Sequence, residues 1–274
     1  MKTNHIKYHL IGSYLWIALL LCVLITGVGL AQDQPHTIRL VHVMEGEKSG
    51  LSSPAGVVFS SRANLFHVIE SRGNKDILSG DLVIKNISVF GHDAGTTRIR
   101  IGIEDLINMT MDNKFGRLLI YQTTTHQLIE VNEDSSGNLD PNTLAIHEVS
   151  SFGLQEPQGM TFDSIQGYLY FLDAVGPQLI QIKLQTDGSF LDSTIDTLNL
   201  SWASNLGLRG ITFDPNSGNF HVVSPGEQRL YEFTYSGEVV AIRDLSEFNL
   251  SNPQSIVFAP SADQTDDPME LSLY

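Results

Sequence analysis

A chain of 274 residues, 42% apolar and only 17% charged, has enough apolar material for a globular core and too little charge for a disordered polymer. Its 16 basic side chains face 31 acidic ones, a formal net charge of −15, which excludes a phosphate-binding surface and with it nucleic acid as a partner. Cys22 is the single cysteine, so no disulfide can staple the chain internally.

The first 31 residues read as an address. Lys2 and Lys7 precede an almost wholly apolar run from Leu15 to Leu30, and Gly29-Leu30-Ala31 offers the small residues that a signal peptidase cuts after. Residues 1–31 are therefore expected to be a secretory signal peptide, with an uncleaved anchor as the alternative because the run is near the shortest that spans a bilayer. Cleavage leaves 14 basic against 31 acidic side chains, no cysteine, no stable membrane span and a secreted or periplasmic domain over residues 32–274.

Thr37 to Val43 reads as a strand standing ahead of a repeat. Small or turn-forming residues open five units at Gly56, Asn108, Gly159, Gly210 and Ser255, with spacings of 52, 51, 51 and 45. Such a period belongs to folds in which one unit cannot bury its own apolar face. Each unit starts with an apolar strand, expected at 57–59, 109–111, 160–162, 211–213 and 256–258. Asp112, Asp163 and Asp214 follow three of them, where an aspartate caps a turn. Second strands are expected at 64–69, 116–121, 167–172 and 218–223, apolar on both faces as in strands packed between sheets. Third strands are expected at 82–84, 127–131, 179–184 and 229–233, and fourth strands at 97–103, 143–149, 194–200 and 238–242. Ser136-Gly137, Asp187-Gly188 and Ser236-Gly237 between them are hairpin turns.

Antiparallel strands in fours, with no helical periodicity between them, describe the blade of an all-β propeller. The pattern Pro157-Gln158-Gly159-Met160-Thr161-Phe162-Asp163 followed by Gly167-Tyr168-Leu169-Tyr170 resembles the six-bladed propeller class of NHL-repeat, YWTD and gluconolactonase-like proteins. The resemblance covers residues 50–274 and implies architecture, since these families share blades and not chemistry. Blades are expected near 53–105, 106–152, 153–204 and 205–249, with an incomplete one at 250–274 and 37–43 as the closing outer strand. Tyr274 matches Tyr170 partway through a second strand, so the expectation is a fragment of a six-bladed protein, cut in its fifth blade.

In a four-stranded meander the connection into each first strand shares a face with the loop between second and third strands. Around the channel mouth this gathers Glu156, Gln158, Arg209, Asn252 and Gln254 from the first set, and Glu70, Arg72, Asp173 and Glu227 from the second. His67 and His221 occupy one slot of the repeat with Leu119 and Tyr170, which marks packing rather than a metal pair. Asp134 to Asp140 places oxygen side chains at alternate positions like a calcium loop, yet lacks the glycine and the closing glutamate of one. There is no Gly-x-Ser-x-Gly elbow and no His-Glu-x-x-His.

Two functions fit this pattern. One is a binding module that takes a protein, glycan or small-molecule ligand across the loop face. The other, implied by the gluconolactonase-like resemblance, is a calcium-dependent lactonase or esterase whose metal activates water in the channel. That family usually draws its glutamate from a Glu-Gly-Pro segment; Glu156-Pro157-Gln158-Gly159 differs, so its ligands are not carried over. Gln158, Arg209 and Gln254 hold three of the five lead-in positions, and a guanidinium there opposes a cation, which favours binding.

Overall fold

The computed structural model describes residues 39–40, 43–44, 51, 54–70, 81–101, 106–190, 194–250, 252–267 and 270–274. The chain divides into Met1–Arg39 and Leu40–Tyr274, and the described strands lie in the second unit. The expected signal peptide, Arg72 and most of the expected closing strand at 37–43 lie outside the described residues. Among the described residues no helix is long and apolar enough to cross a membrane.

β1 (Pro54–Ser60), β2 (Leu65–Glu70), β3 (Leu82–Ser88) and β4 (Asp93–Ile99) pair in sequence order as an antiparallel meander. The same order recurs in β5 (Leu106–Asp112), β6 (Arg117–Gln122), β7 (Gln127–Asn132) and β8 (Ala145–Glu148). It recurs again in β9 (Pro157–Asp163), β10 (Tyr168–Asp173), β11 (Gln178–Lys183) and β12 (Thr194–Asn199), and in β13 (Arg209–Phe213), β14 (Phe220–Ser224), β15 (Arg229–Phe233) and β16 (Val239–Asp244). β17 (Phe258–Pro260) and β18 (Leu271–Leu273) form a two-stranded fifth sheet. This is the expected propeller, with four complete four-stranded blades and a two-stranded fifth sheet among the described residues.

Sheets of this kind stand together only if both faces are covered, and the apolar clusters lie between the blades. One joins Ile84 and Ile99 to Leu118 and Ile129; the next joins Leu119 and Tyr121 to Phe171 and Ile180; a third joins Tyr170 and Leu172 to Phe220 and Phe233. Val223 and Leu230 pack with Ile256, just ahead of β17. Ala259 of the fifth sheet then packs with Phe59 and Phe66 of the first, where the Phe66 and Tyr274 rings stand 4.8 Å apart. The ring is therefore closed by apolar contact, and β6 and β14 are buried at every position because each is sandwiched.

The 51-residue spacing has a physical cause at the axis. A Cβ on Gly159 would lie 2.9 Å from the Ile211 backbone nitrogen, and one on Gly210 would lie 3.0 Å from Ser255 Cα. Asn108 instead reaches the Pro157 carbonyl at 3.4 Å, and Ser255 Oγ accepts from Val57 N–H at 3.4 Å. The residue that opens each unit is thus the one where neighbouring inner strands touch.

Some elements differ from expectation. β4 begins at Asp93 because Ser88 to His92 form a tight turn, in which Gly91 N–H donates to Ser88 carbonyl at 2.8 Å; this turn carries no Ser-Gly or Asp-Gly pair. Single 3-10 turns at Ser150–Phe152, Ser201–Ala203 and Ser246–Phe248 follow three fourth strands, and a turn this short leaves no periodic signal.

Candidate functional site

The three aspartates after the inner strands are turn caps, as expected. Asp112 accepts from the Lys114 and Phe115 amides at 3.1 and 3.3 Å, Asp163 from Ile165 and Gln166 at 2.8 and 3.0 Å, and Asp214 from Asn216 at 2.9 Å. Two of them do a second job that the sequence does not announce. Asp112 also holds Arg117 Nε at 2.9 Å, and Arg117 donates through Nη2 to the Gly188 carbonyl in the hairpin of the next blade at 2.7 Å. Asp163 accepts from Tyr235 O–H, again in the next blade's hairpin, at 2.6 Å. Burial and this carboxylate push the Tyr235 phenol far above its ordinary value, so it stays a donor.

The central channel encloses a cavity of about 420 Å³, lined by residues 57–59, 109–111, 160–162, 211–213 and 256–258 of the inner strands. Ser61, Asn113 and Ser164 at its end lie on the side of the first turns, away from the loop face. Among the described residues the lining holds no carboxylate, and its one amide is engaged: Asn113 Oδ1 accepts from Ser61 N–H at 2.8 Å while Nδ2 donates to the Phe59 carbonyl at 3.2 Å. None of the seven mouth residues Glu70, Glu156, Gln158, Asp173, Arg209, Asn252 and Gln254 lines it.

Those residues stand at the other end of the inner strands. Each complete blade starts with a bulge there, between Pro54 and Gly56, Leu106 and Asn108, Pro157 and Gly159, and Arg209 and Ile211. A bulge turns the side chains beside it, and Gln158 is the extra residue in the third blade. Arg209 Nη1 donates to Gln254 Oε1 at 3.0 Å, and Gln254 Nε2 donates to the Asn252 carbonyl at 3.0 Å, so three of the seven form one chain of hydrogen bonds. Asp173 is fully buried, and its carboxylate accepts from the amides of Gln155, Glu156 and Val175 at 2.7, 3.2 and 3.0 Å. Glu156 is brought to Asp173 by its backbone and leaves its own carboxylate exposed. Of Glu70 the structure describes the backbone, paired with Pro54. Glu227 accepts from Tyr231 O–H at 2.5 Å and lies 3.5 Å from Arg229.

A second cavity, about 400 Å³, opens beside Asp173 between the third and fourth blades. Leu172, Ala174, Pro177, Ser204, Asn205 and Leu208 line it. Asn205 holds a left-handed backbone at φ +67°, which points its short polar side chain from a turn that most residues avoid. Ser204-Asn205-Leu206-Gly207 reads in sequence as a plain loop, and only the fold shows that it walls a cleft.

Elsewhere, His67 Nδ1 lies 2.8 Å from Asn86 Oδ1, and His221 packs edge-on to Phe258 with ring centres 5.0 Å apart, so the shared slot is one of packing. In the 134–140 loop the Asp134 carboxylate is taken up by the amides of Ser136 and Asn138 at 2.8 and 2.9 Å, and these bonds hold its carboxyl below the ordinary value. Among the described residues no three His, Cys, Asp or Glu side chains converge to hold a metal.

No protein-family profile matches this chain, and no curated protein matches it. Solved structures do. One is a nidogen/laminin complex, at 16% identity over 76% of this chain and 72% of that one with a TM-score of 0.49. Another is a putative 6-phosphogluconolactonase from Bacteroides uniformis, at 13% identity over 82% and 71% with a TM-score of 0.49. A third is virginiamycin B lyase from Staphylococcus aureus, at 14% identity over 76% and 75% with a TM-score of 0.43. At such identities the likeness concerns the fold alone. By its own strand order and inter-blade packing, the chain is a β-propeller of four-stranded antiparallel blades.

Proposed function

We propose that this protein is a binding module that takes its ligand on the loop face, in the cleft between the third and fourth blades and across the adjoining mouth. The observation that carries this reading is the state of Asp173, the one carboxylate lining the cleft among the described residues: three backbone amides already occupy it. What the face offers a ligand is the guanidinium of Arg209, the amides of Gln158, Asn205, Asn252 and Gln254, and the Ser204 hydroxyl. Such a set donates and accepts hydrogen bonds without needing a cation, and about 400 Å³ falls in the range of small-ligand pockets. A glycan, a peptide segment of a protein or a polar small molecule suits it. The basic start, the apolar run to Leu30 and the Ala31 cleavage motif support export to a secreted or periplasmic location.

Glycan and peptide arrays probed with the signal-free protein test this. Ligands retained by the wild type should bind Arg209→Glu or Asn205→Trp at least about tenfold more weakly, the size expected for one lost charge-assisted contact or a filled cleft. Binding that survives both substitutions would place the ligand elsewhere and sink the reading.

A further inference from the structure

The tripeptide Asn-x-Ser/Thr, with x other than proline, marks an asparagine whose amide an oligosaccharyltransferase can load, and it occurs at Asn86, Asn108, Asn199 and Asn249. Burial sorts these sites. Asn108 is 8% exposed, and its Nδ2, the atom that would carry a sugar, donates to the Pro157 carbonyl of the neighbouring inner strand at 3.4 Å. Asn86 is half-buried in β3, where its Oδ1 lies 2.8 Å from His67 Nδ1 and its Nδ2 donates to Thr97 Oγ1 at 3.3 Å. The tripeptide at Asn249 ends on Ser251, outside the described residues. Asn199 differs: it is exposed on the outer strand of the third blade, and among the described residues no group bonds its side-chain amide. Ser201, which supplies the hydroxyl of the same tripeptide, is exposed too. β12 ends at Asn199 and the chain bends at Leu200 into the 3-10 turn Ser201–Ala203, so the tripeptide lies on a surface corner and not inside a ladder.

We propose that Asn199 is an N-glycan acceptor. Its Nδ2 forms a bond to the anomeric carbon of an oligosaccharide carried on a polyprenyl diphosphate. The bond from that carbon to the diphosphate oxygen breaks, the lipid diphosphate leaves with the electron pair, and the displaced amide proton passes to a base of the transferase. The position also gives the sugar something to cover. β12 has no partner on its outer side among the described residues. Ile195, on the same face of the strand as Asn199, is 42% exposed and stands about 13 Å away at roughly 3.3 Å per residue. A hydrophilic oligosaccharide anchored there shields an open sheet edge from pairing with another chain, the task that charged side chains perform on other edge strands. The inference rests on the export part of the proposed function, because the transferase works beyond the membrane, and takes nothing from the ligand cleft.

Secretion of the full chain, with its own leader, from cultured eukaryotic cells tests it. A glycosidase that leaves aspartate in place of each occupied asparagine, followed by peptide mass spectrometry, reads every site of the exported protein. The expected result is conversion of Asn199 and none at Asn86 or Asn108. Asn199→Gln and Ser201→Ala should each remove the glycan from residue 199. Both variants should keep Tm within about 2 °C of the deglycosylated wild type, because both side chains are exposed. An exported protein with Asn199 unmodified overturns this inference and leaves the export reading standing, whereas a chain retained in the cytosol overturns both. Modification of Asn86 or Asn108 to the same extent as Asn199 would show that burial does not select the site. A Ser201→Ala chain that keeps its glycan would show that another signal directs it, and either result also overturns the proposal.

Discussion

Arg117→Met is expected to cost about 3–5 kcal/mol of unfolding free energy, the range for breaking a buried ion pair from one side. Arg117 is 5% exposed and the Asp112 it meets is fully buried. Its guanidinium makes three different bonds: to Asp112 at 2.9 Å, to Glu130 at 3.3 Å and to the Gly188 carbonyl at 2.7 Å. It also lies between the rings of Phe115 and Phe190, 5.3 Å from each centre. Methionine keeps much of the volume and the ring contacts but leaves Asp112 Oδ2 and the Gly188 carbonyl without the guanidinium that donates to them. The cost falls on the joint between second and third blades, because Gly188 and Phe190 belong to the third. Urea unfolding of the purified chain measures it, and a loss under about 1 kcal/mol would show that this network does not hold the blades together.

Gly210→Ala is expected to cost about 2–4 kcal/mol from two sources. Gly210 has φ +56°, where a Cβ meets its own carbonyl at a cost of about 1–2 kcal/mol. That Cβ would also lie 3.0 Å from Ser255 Cα, a backbone atom of the neighbouring inner strand that cannot swing aside. Forcing the two strands apart adds the roughly 1–3 kcal/mol typical of overpacking. Because each inner strand touches the next in the ring, the displacement reaches the Val57–Ser255 contact that closes it. The same urea titration reads the outcome, and wild-type stability in the variant would contradict the ring geometry.

These residues also mark how much the sequence discloses. Gly56, Asn108, Gly159, Gly210 and Ser255 announce the repeat because strand contact at the axis constrains one residue per blade. Asp112, Asp163 and Asp214 are legible as caps because their partners lie two or three residues away. Asp173 performs similar chemistry but reads as a mouth residue, since two of its three partners, Gln155 and Glu156, lie 18 and 17 residues distant. Arg117 looks like an ordinary polar start to a strand, and its partner at Gly188 is 71 residues along the chain. Local partners leave a mark in sequence; partners across a blade joint do not. The cleft at Asn205 is hidden for the same reason, as its walls come from two blades.

The most direct test of the loop-face account is thermal unfolding of the signal-free chain across a calcium titration. A native calcium site would stabilise the protein by RT ln(1 + [L]/Kd), about 2.7 kcal/mol at a hundredfold excess over Kd. The account predicts no change in Tm beyond about 1 °C, because the Asp173 and Asp134 carboxylates are already filled by backbone amides. A clear upward shift, joined by calcium-dependent turnover of lactones or esters, would contradict it and point to a metal-dependent hydrolase instead.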